Sequence, residues 1–282
     1  MKLGLVLEGG ASRTFFSAGV MDALLDLKIK ADYVIGTSAG IANAVSYVSG
    51  QKGRNLEIGM RYLSDARYMG IRHFFNPKNR SYYNKDFVFN KLPNRYIPFD
   101  YASFEKFNGE VLATVTNIKN GKTEYLKITG EDKKWKAITA SCALPLFFSP
   151  VKFGDKIYLD GGISDPIPFK KALDDGCDKL IVVITRERSY IKEKEKGLNL
   201  SAFLYKRYPE FVKTLKKRTE AYNESHKELL PLEKEGRILL IAPKSTEGWN
   251  RTESRAEMIK KMYDSGYSAV MKRKEELFSH IK

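Results

Sequence analysis

The stretch YVIGTSAGIANAV at positions 33–45 holds a short apolar run, the turn Gly36-Thr37-Ser38-Ala39-Gly40, and a run of small residues with a helical pattern. Tyr33–Ile35 is a candidate buried strand and Ala39–Val48 a candidate helix. Ser38 then sits where a strand turns sharply into a helix. Such a turn brings backbones close together, so its neighbours must be small. It also exposes the serine hydroxyl at the carboxyl end of the strand. The helix that follows points free N–H groups at developing negative charge. Ser38 is therefore a candidate nucleophile. A plain turn residue is the alternative, because G-x-S-x-G alone is a short pattern that needs its structural context.

The flanking sequence supplies that context. Leu3–Leu7 reads as a strand, EGGASRT as a loop and FFSAGVMDALLDLK as a helix. Strand–loop–helix repeated twice predicts βαβ units and a parallel sheet. Residues 54–110 read as a helical and loop insertion over one end of that sheet. Asn120-Gly121, between Glu110–Ile118 and Lys122–Ile128, is a hairpin signal. VKFGDKIYLD reads as a second hairpin turning at Gly154-Asp155, and its last strand runs into Asp160. EDKKWKAITASCAL reads as a helix ending near Pro145, and KLIVVIT (179–185) as a buried strand. Beyond Arg186, RERSYIKEKEKG reads as a charged loop and 200–235 as basic helix. RILLIAP (237–243) is a further strand. Glu253–Phe278 reads as one long helix, with Ile259, Met262, Tyr263, Tyr267, Val270 and Met271 on one side as a core stripe.

The chain has 282 residues, enough for one large α/β domain or a domain with an extension. Its 49 Lys and Arg against 34 Asp and Glu give a formal charge of +15. That favours polyanions: an anionic bilayer, phosphorylated substrates or nucleic acid. A basic solvated surface with no partner is the plainer reading. No basic stripe interleaved with aromatics and no known module supports nucleic acid, so none is expected. Cys142 and Cys177 lie outside any C-x-x-C pair and read as buried, reduced thiols. The apolar start is too short for a secretory signal. No apolar run approaches the roughly 20 residues of a membrane span. These features predict a cytoplasmic protein whose membrane contact is peripheral.

A serine nucleophile needs a base. The three histidines, His73, His226 and His280, lie in none of the loops that directly follow a sheet strand, and each reads as a surface residue. Asp160 fits better. It ends a strand and is followed by Gly161 and Gly162; the alternative is an Asx turn in a Gly- and Pro-rich loop. The loop LEGGASR offers the amides of Gly9, Gly10 and Ala11 as an oxyanion hole. It has neither G-x-G-x-x-G spacing nor a Walker lysine.

Together EGGASR (8–13), GTSAG (36–40) and DGG (160–162) resemble the motifs of the patatin-like phospholipase family, in family order. ASCALPLFF (140–148) resembles the segment before the family's aspartate. The resemblance implies a three-layer α/β/α sandwich with a mainly parallel sheet over residues 1–185. It also implies a helical C-terminal extension over 186–282. It further implies a Ser38–Asp160 dyad acting on acyl-ester lipids, an oxyanion loop of Gly9, Gly10 and Ala11, and supporting roles for Arg13, Gly36, Gly40, Gly161 and Gly162. No metal or other cofactor is implied. The aromatic segment 68–104 would be a lid or acyl-chain wall, and the basic surface would rest on anionic lipid. No oligomeric state follows. Ala11 stands where the family usually has a third glycine and Thr14 where it usually has another; a Cβ at Ala11 would be strained if φ is positive there. These departures make a catalytically weak lipid-binding or regulatory protein on the same fold the rival reading.

Overall fold

Every residue of the first strand, β1 (Leu3–Leu7), is buried, as expected of a parallel strand covered on both faces. The computed structural model describes residues 1–193 and 197–282. Part of the charged loop expected after Arg186, residues 194–196, lies outside them. After β1 come a 3-10 turn (Ala11–Thr14), α1 (Phe15–Asp26), β2 (Tyr33–Thr37), α2 (Ala39–Val48), α3 (Arg54–Tyr62), a π-helix (Phe87–Tyr96) and α4 (Tyr101–Glu105). There follow β3 (Glu110–Asn117), β4 (Thr123–Lys127), α5 (Lys136–Ser141), β5 (Val151–Phe153), β6 (Lys156–Asp160), α6 (Phe169–Asp174) and β7 (Lys179–Val183). The chain ends with α7 (Leu198–Leu204), α8 (Pro209–Lys234), β8 (Ile238–Ile241), α9 (Ala256–Met271) and α10 (Lys274–His280).

The strands form one mixed eight-stranded sheet in the order β5-β6-β3-β2-β1-β7-β8, with β4 also on β3. The run β3-β2-β1-β7-β8 is parallel, and β4, β5 and β6 are antiparallel. Side chains of β1 alternate between two cores, as the period of a strand requires. Leu3, Leu5 and Leu7 pack with Phe16, Met21, Ile41, Val45, Ile259 and Met262 of α1, α2 and α9. Val6 packs with Phe169, Tyr222 and Leu229 of α6 and α8. The result is the α/β/α layering that the family resemblance implies.

β8, from beyond residue 185, pairs with β7 in the same sheet. α9 lies against α1 at backbone contact distance. A Cβ added at Gly19 would fall 1.9 Å from the Tyr263 carbonyl oxygen, and one added at Gly266 would fall 1.9 Å from that of Phe16. Two glycines, one on each helix, thus set the spacing.

Two expected helices are shorter than the sequence suggested. The long C-terminal helix breaks at Lys272–Arg273. Arg273 Nη1 donates to the Leu240 carbonyl of β8 at 2.7 Å, and α10 turns to bury Leu277. Of the apolar stripe on this helix, Ile259, Met262, Tyr263 and Val270 are buried, while Met271 faces solvent. In EDKKWKAITASCAL only α5 is helical. Trp135 adopts φ 49° ahead of it and packs its indole against Phe99 and Phe104.

The glycine contact between α1 and α9 has a direct test. Gly266→Ala should lower stability by roughly 1–3 kcal/mol through overpacking, read as a reduced urea midpoint with unchanged slope. An unchanged midpoint would mean that the helices separate without cost.

Candidate active site

The two edges of β3 determine what meets at the end of the sheet. β4 occupies one edge from Leu112 to Thr116. β2 therefore holds the other edge from Glu110 to Thr114, and β6 continues on that same edge from Val115 to Asn117. β2 and β6 run in opposite directions and end facing each other. Thr37 lies opposite Thr114 and Asp160 opposite Val115. Ser38, one residue past β2, is thereby carried to Asp160, the last residue of β6.

Ser38 has φ 55° and ψ −131°, a conformation that an L residue adopts only when its surroundings impose it. Its N–H donates to Ser141 Oγ at 2.8 Å, and Ser141 is fully buried on α5. α2 begins immediately after it. A Cβ on Gly40 would lie 2.5 Å from the Glu8 carbonyl oxygen and one on Gly36 3.0 Å from Ile41 N, so both flanking glycines are required by close backbone approach. The Ser38 hydroxyl lies close to the Asp160 carboxylate and the Cys142 thiol.

Asp160 is 4% exposed. Its Oδ1 accepts from Gly162 N–H at 2.7 Å, and its carbonyl accepts from Thr116 Oγ1. Gly161 packs directly on Thr114. Burial pushes the Asp160 pKa up, against the pull of the Arg218 charge, the Ser38 hydroxyl, the Gly162 N–H and Arg251. Arg218 is fixed by its Nε, which donates to the Gly162 carbonyl at 2.9 Å. Burial, with Asp160 nearby, also drives the Cys142 thiol upward and keeps it neutral.

The loop after β1 supplies the third component. Among the described residues, the amides of Gly9, Gly10 and Ala11 donate no internal hydrogen bond, and all three residues line the cavity that contains Ser38 and Asp160. Thr185 Oγ1 holds the Gly9 carbonyl at 3.0 Å. Ala11 does have positive φ, 50°, so the alanine carries the conformation a glycine would take more easily. Thr14 offsets this. Its Oγ1 donates to the Ala11 carbonyl at 2.7 Å and accepts from Asn43 Nδ2 of α2 at 2.9 Å. The two departures from the family pattern are thus physically linked.

Arg13 is buried beneath this loop, and burial followed by the charges of Arg186 and Arg251 lowers its pKa to about 10. Two of the three histidines are not on the surface, contrary to the sequence expectation. His73 and His226 are buried. His73 Nε2 contacts the Ala66 carbonyl and His280 Nε2 that of Leu180. Among the described residues no histidine lines either cavity at Ser38.

Those two cavities differ in chemistry and share Ser38, Ala11, Leu144 and Arg251. The larger, about 560 Å³, is lined by Glu8, Asp160, Arg13, Arg186, Arg218 and Tyr222 among others. The smaller, about 140 Å³, is lined mainly by apolar groups. Tyr68, Met69, Tyr83, Val88 and Phe89 come from the aromatic segment 68–104, and Phe147 and Phe148 close the other side. Arg186, Arg218, Tyr222, Arg251 and Ser141 were not recognised as site residues from sequence. For Arg218 a signal exists: it occupies the buried face of α8 between Leu215 and Tyr222, where a cation is out of pattern.

The family model of patatin-like phospholipases matches residues 5–173. The chain belongs to the patatin-like phospholipase family. A second model, the domain of unknown function DUF6363, matches residues 208–282. The uncharacterised protein YjjU of Escherichia coli is 30% identical over 201 residues, 65% of this patatin-like chain and 52% of YjjU. Lysophospholipase NTE1 of Scheffersomyces stipitis is 27% identical over 224 residues, 75% of this chain and 14% of NTE1. The chain thus spans about half of the former and a small part of the latter. Among solved structures, VipD of Legionella pneumophila shares the fold with a TM-score of 0.50 at 13% identity, covering 96% of this chain and 66% of that one.

The electrostatics around Asp160 predict a titration. Its carboxyl group should lose its proton above the ordinary aspartate value. Removing the Arg218 charge, which favours the ionised form, should raise the midpoint further. Carbon NMR of the labelled side chain in wild type and Arg218→Gln measures both. A downward move in the variant would refute this assignment of the electrostatic terms.

Proposed function

We propose that this protein is a serine acyl hydrolase that cleaves lipid esters through Ser38 and Asp160. The observation that carries the reading is the position of Ser38, where an apolar cavity and a cationic one meet. An acyl chain fits the first and a polar alcohol portion the second, which puts the ester carbonyl at the hydroxyl. The lysophospholipase relative supports the same chemistry.

In this mechanism Ser38 Oγ attacks the carbonyl carbon while its proton passes to Asp160. The carbonyl oxygen becomes an oxyanion against the free amides of Gly9, Gly10 and Ala11. The tetrahedral intermediate collapses, the C–O bond to the alcohol breaks, and Asp160 returns the proton to the departing oxygen. Water then attacks the acyl-serine and gives its proton to Asp160. The fatty acid leaves as Ser38 recovers its hydrogen. Burial suits Asp160 to this work, because a base with a raised pKa accepts the proton more readily. The fixed dipoles of the loop need no reorientation as charge develops.

A fluorophosphonate should label Ser38, and Ser38→Ala should abolish both labelling and turnover of a p-nitrophenyl ester. Asp160→Asn should lose at least about 10²-fold in kcat. The sign of its effect on stability is opposite. A buried Asp whose pKa is raised on folding makes the folded state less stable as pH rises past the unfolded value. The amide should therefore unfold at neutral pH no earlier than wild type. His73→Gln, His226→Gln and His280→Gln combined should leave kcat within about tenfold if folded, since loss of a true general base costs roughly 10²–10⁴. Near-normal turnover by a folded Asp160→Asn protein would remove the dyad. Peripheral attraction to anionic lipid belongs to the same reading, so vesicle binding should weaken as salt screens the charge. Binding insensitive to salt would refute that part.

A further inference from the structure

Two arginines in the wall of the larger cavity, Arg13 and Arg186, take no step in the ester hydrolysis. Among the described residues Lys192, Arg218 and Arg251 also line it and already have partners. Of the carboxylates in the wall, two are already engaged. Glu8 accepts from the Thr185 N–H and Asp160 from the Gly162 N–H. Arg13 is 6% exposed. Among the described residues its Nε has no hydrogen-bond partner, and its guanidinium forms no ion pair. Among the described residues Arg186 Nε also lacks a partner. Leaving buried donors unsatisfied costs about 1–3 kcal/mol each, more for charged groups, so a cavity with two guanidinium donors left open in its walls is built for an acceptor-rich anion.

The aromatic walls narrow the choice. A quaternary ammonium is normally held by ring faces. Here the Arg186 guanidinium lies 4.5 Å from the Tyr190 ring centroid, and the Lys192 ammonium 4.9 Å from that of Tyr222. The protein's own cations already occupy those faces, and a choline or ethanolamine group would meet like charge. A phosphate with no attached cation fits. Guanidinium groups recognise its oxygens through charge-assisted, often bidentate hydrogen bonds. The volume, about 560 Å³, lies in the ordinary range for a small polar ligand.

We propose that this cavity is a phosphate subsite, and that the preferred ester is a single-chain lipid bearing a phosphomonoester headgroup. Its turnover rests on the hydrolase reading, but its binding does not. The full-length Ser38→Ala protein is titrated calorimetrically with dodecyl phosphate, dodecylphosphocholine and inorganic phosphate, each below micelle formation. Dodecyl phosphate should bind at least about tenfold more tightly than either of the others. Arg186→Gln and Arg13→Gln, each added to Ser38→Ala and checked for folding, should reduce its affinity at least about tenfold. Arg186 is only partly buried, so its variant keeps the test alive if Arg13→Gln fails to fold. Equal affinity for dodecyl phosphate and dodecylphosphocholine overturns the proposal. So does an unchanged affinity in a folded Arg186→Gln variant. Inorganic phosphate binding as tightly as dodecyl phosphate overturns the lipid headgroup in favour of a free phosphate. In the turnover arm, wild type should release decanoate faster from decanoyl lysophosphatidate than from the matching lysophosphatidylcholine. The reverse preference overturns the proposal. Selective dodecyl phosphate binding with no turnover of any ester upholds the subsite and refutes the hydrolase reading.

Discussion

One edge of β3 organises the site. A strand has two hydrogen-bonding edges, and β4 takes one of them over Leu112–Thr116. β2 and β6 must share what remains, so their ends meet between Thr114 and Val115. Neither strand could be extended by a residue without displacing the other. Ser38 and Asp160 are thus brought together by backbone pairing, deep in the sheet, and not by loop conformation. The same register accounts for the small residues nearby. Gly161 packs onto Thr114, and Gly40 onto the end of β1, because main chain fills the space a side chain would need.

Electrostatics then divides the work at the meeting point. Asp160 is pushed toward its neutral form by burial and pulled back by Arg218 and Arg251. Fully dry and unaccompanied, it would stay protonated and could accept nothing. In water it would ionise at an ordinary value and be a weak base. The position of Arg218 keeps it between those limits, since its Nε bond to the Gly162 carbonyl fixes the cation to the same turn that positions the carboxylate. The arginine thereby serves two ends: it stabilises the anion and rigidifies the loop beside it.

Much of the sheet was legible because its signals are local. Apolar runs gave β1, β2 and β7, and Asn120-Gly121 gave the β3–β4 hairpin, with Gly121 at φ 67°. The turn at Ser38 was legible for the same reason. Its small neighbours are demanded by contacts within a few residues and with one adjacent strand. The break after α9 was not legible, because the bond from the Arg273 guanidinium to a β8 carbonyl causes it, and no periodicity records that contact. Nor was the burial of His73, whose Nε2 meets the Ala66 carbonyl within a loop of the insertion, or of His226, which stacks on Tyr222 on the inner face of α8. The cationic wall was the least visible part. Arg186, Arg218 and Arg251 come from separate elements, and in a chain of +15 any one of them reads as solvated surface. Only the helical spacing Phe211, Leu215, Arg218, Tyr222, His226, Leu229 on α8 betrays one of them, because Arg218 falls on the stripe that the other five bury.

That stripe bears on how the chain is divided. The motifs that identify the family lie before residue 173, yet most of the cations around Ser38 lie after 185. The nucleophile, its carboxylate and the free amides come from the first part, and the charge that complements a ligand comes largely from the second. The two are joined by β8 in the shared sheet and by the Gly19–Gly266 contact of α1 with α9. α1 begins directly after the Ala11–Thr14 turn, so the helix that α9 packs against also anchors the amides at the reacting centre. Ser12 N–H adds a second tie, donating to the Arg251 carbonyl at 3.1 Å. A change in how the later residues pack would therefore act on the oxyanion loop through α1 and through Arg251 before it reached Ser38. Selectivity for the polar part of a substrate and geometry at its carbonyl are coupled through the same short loop.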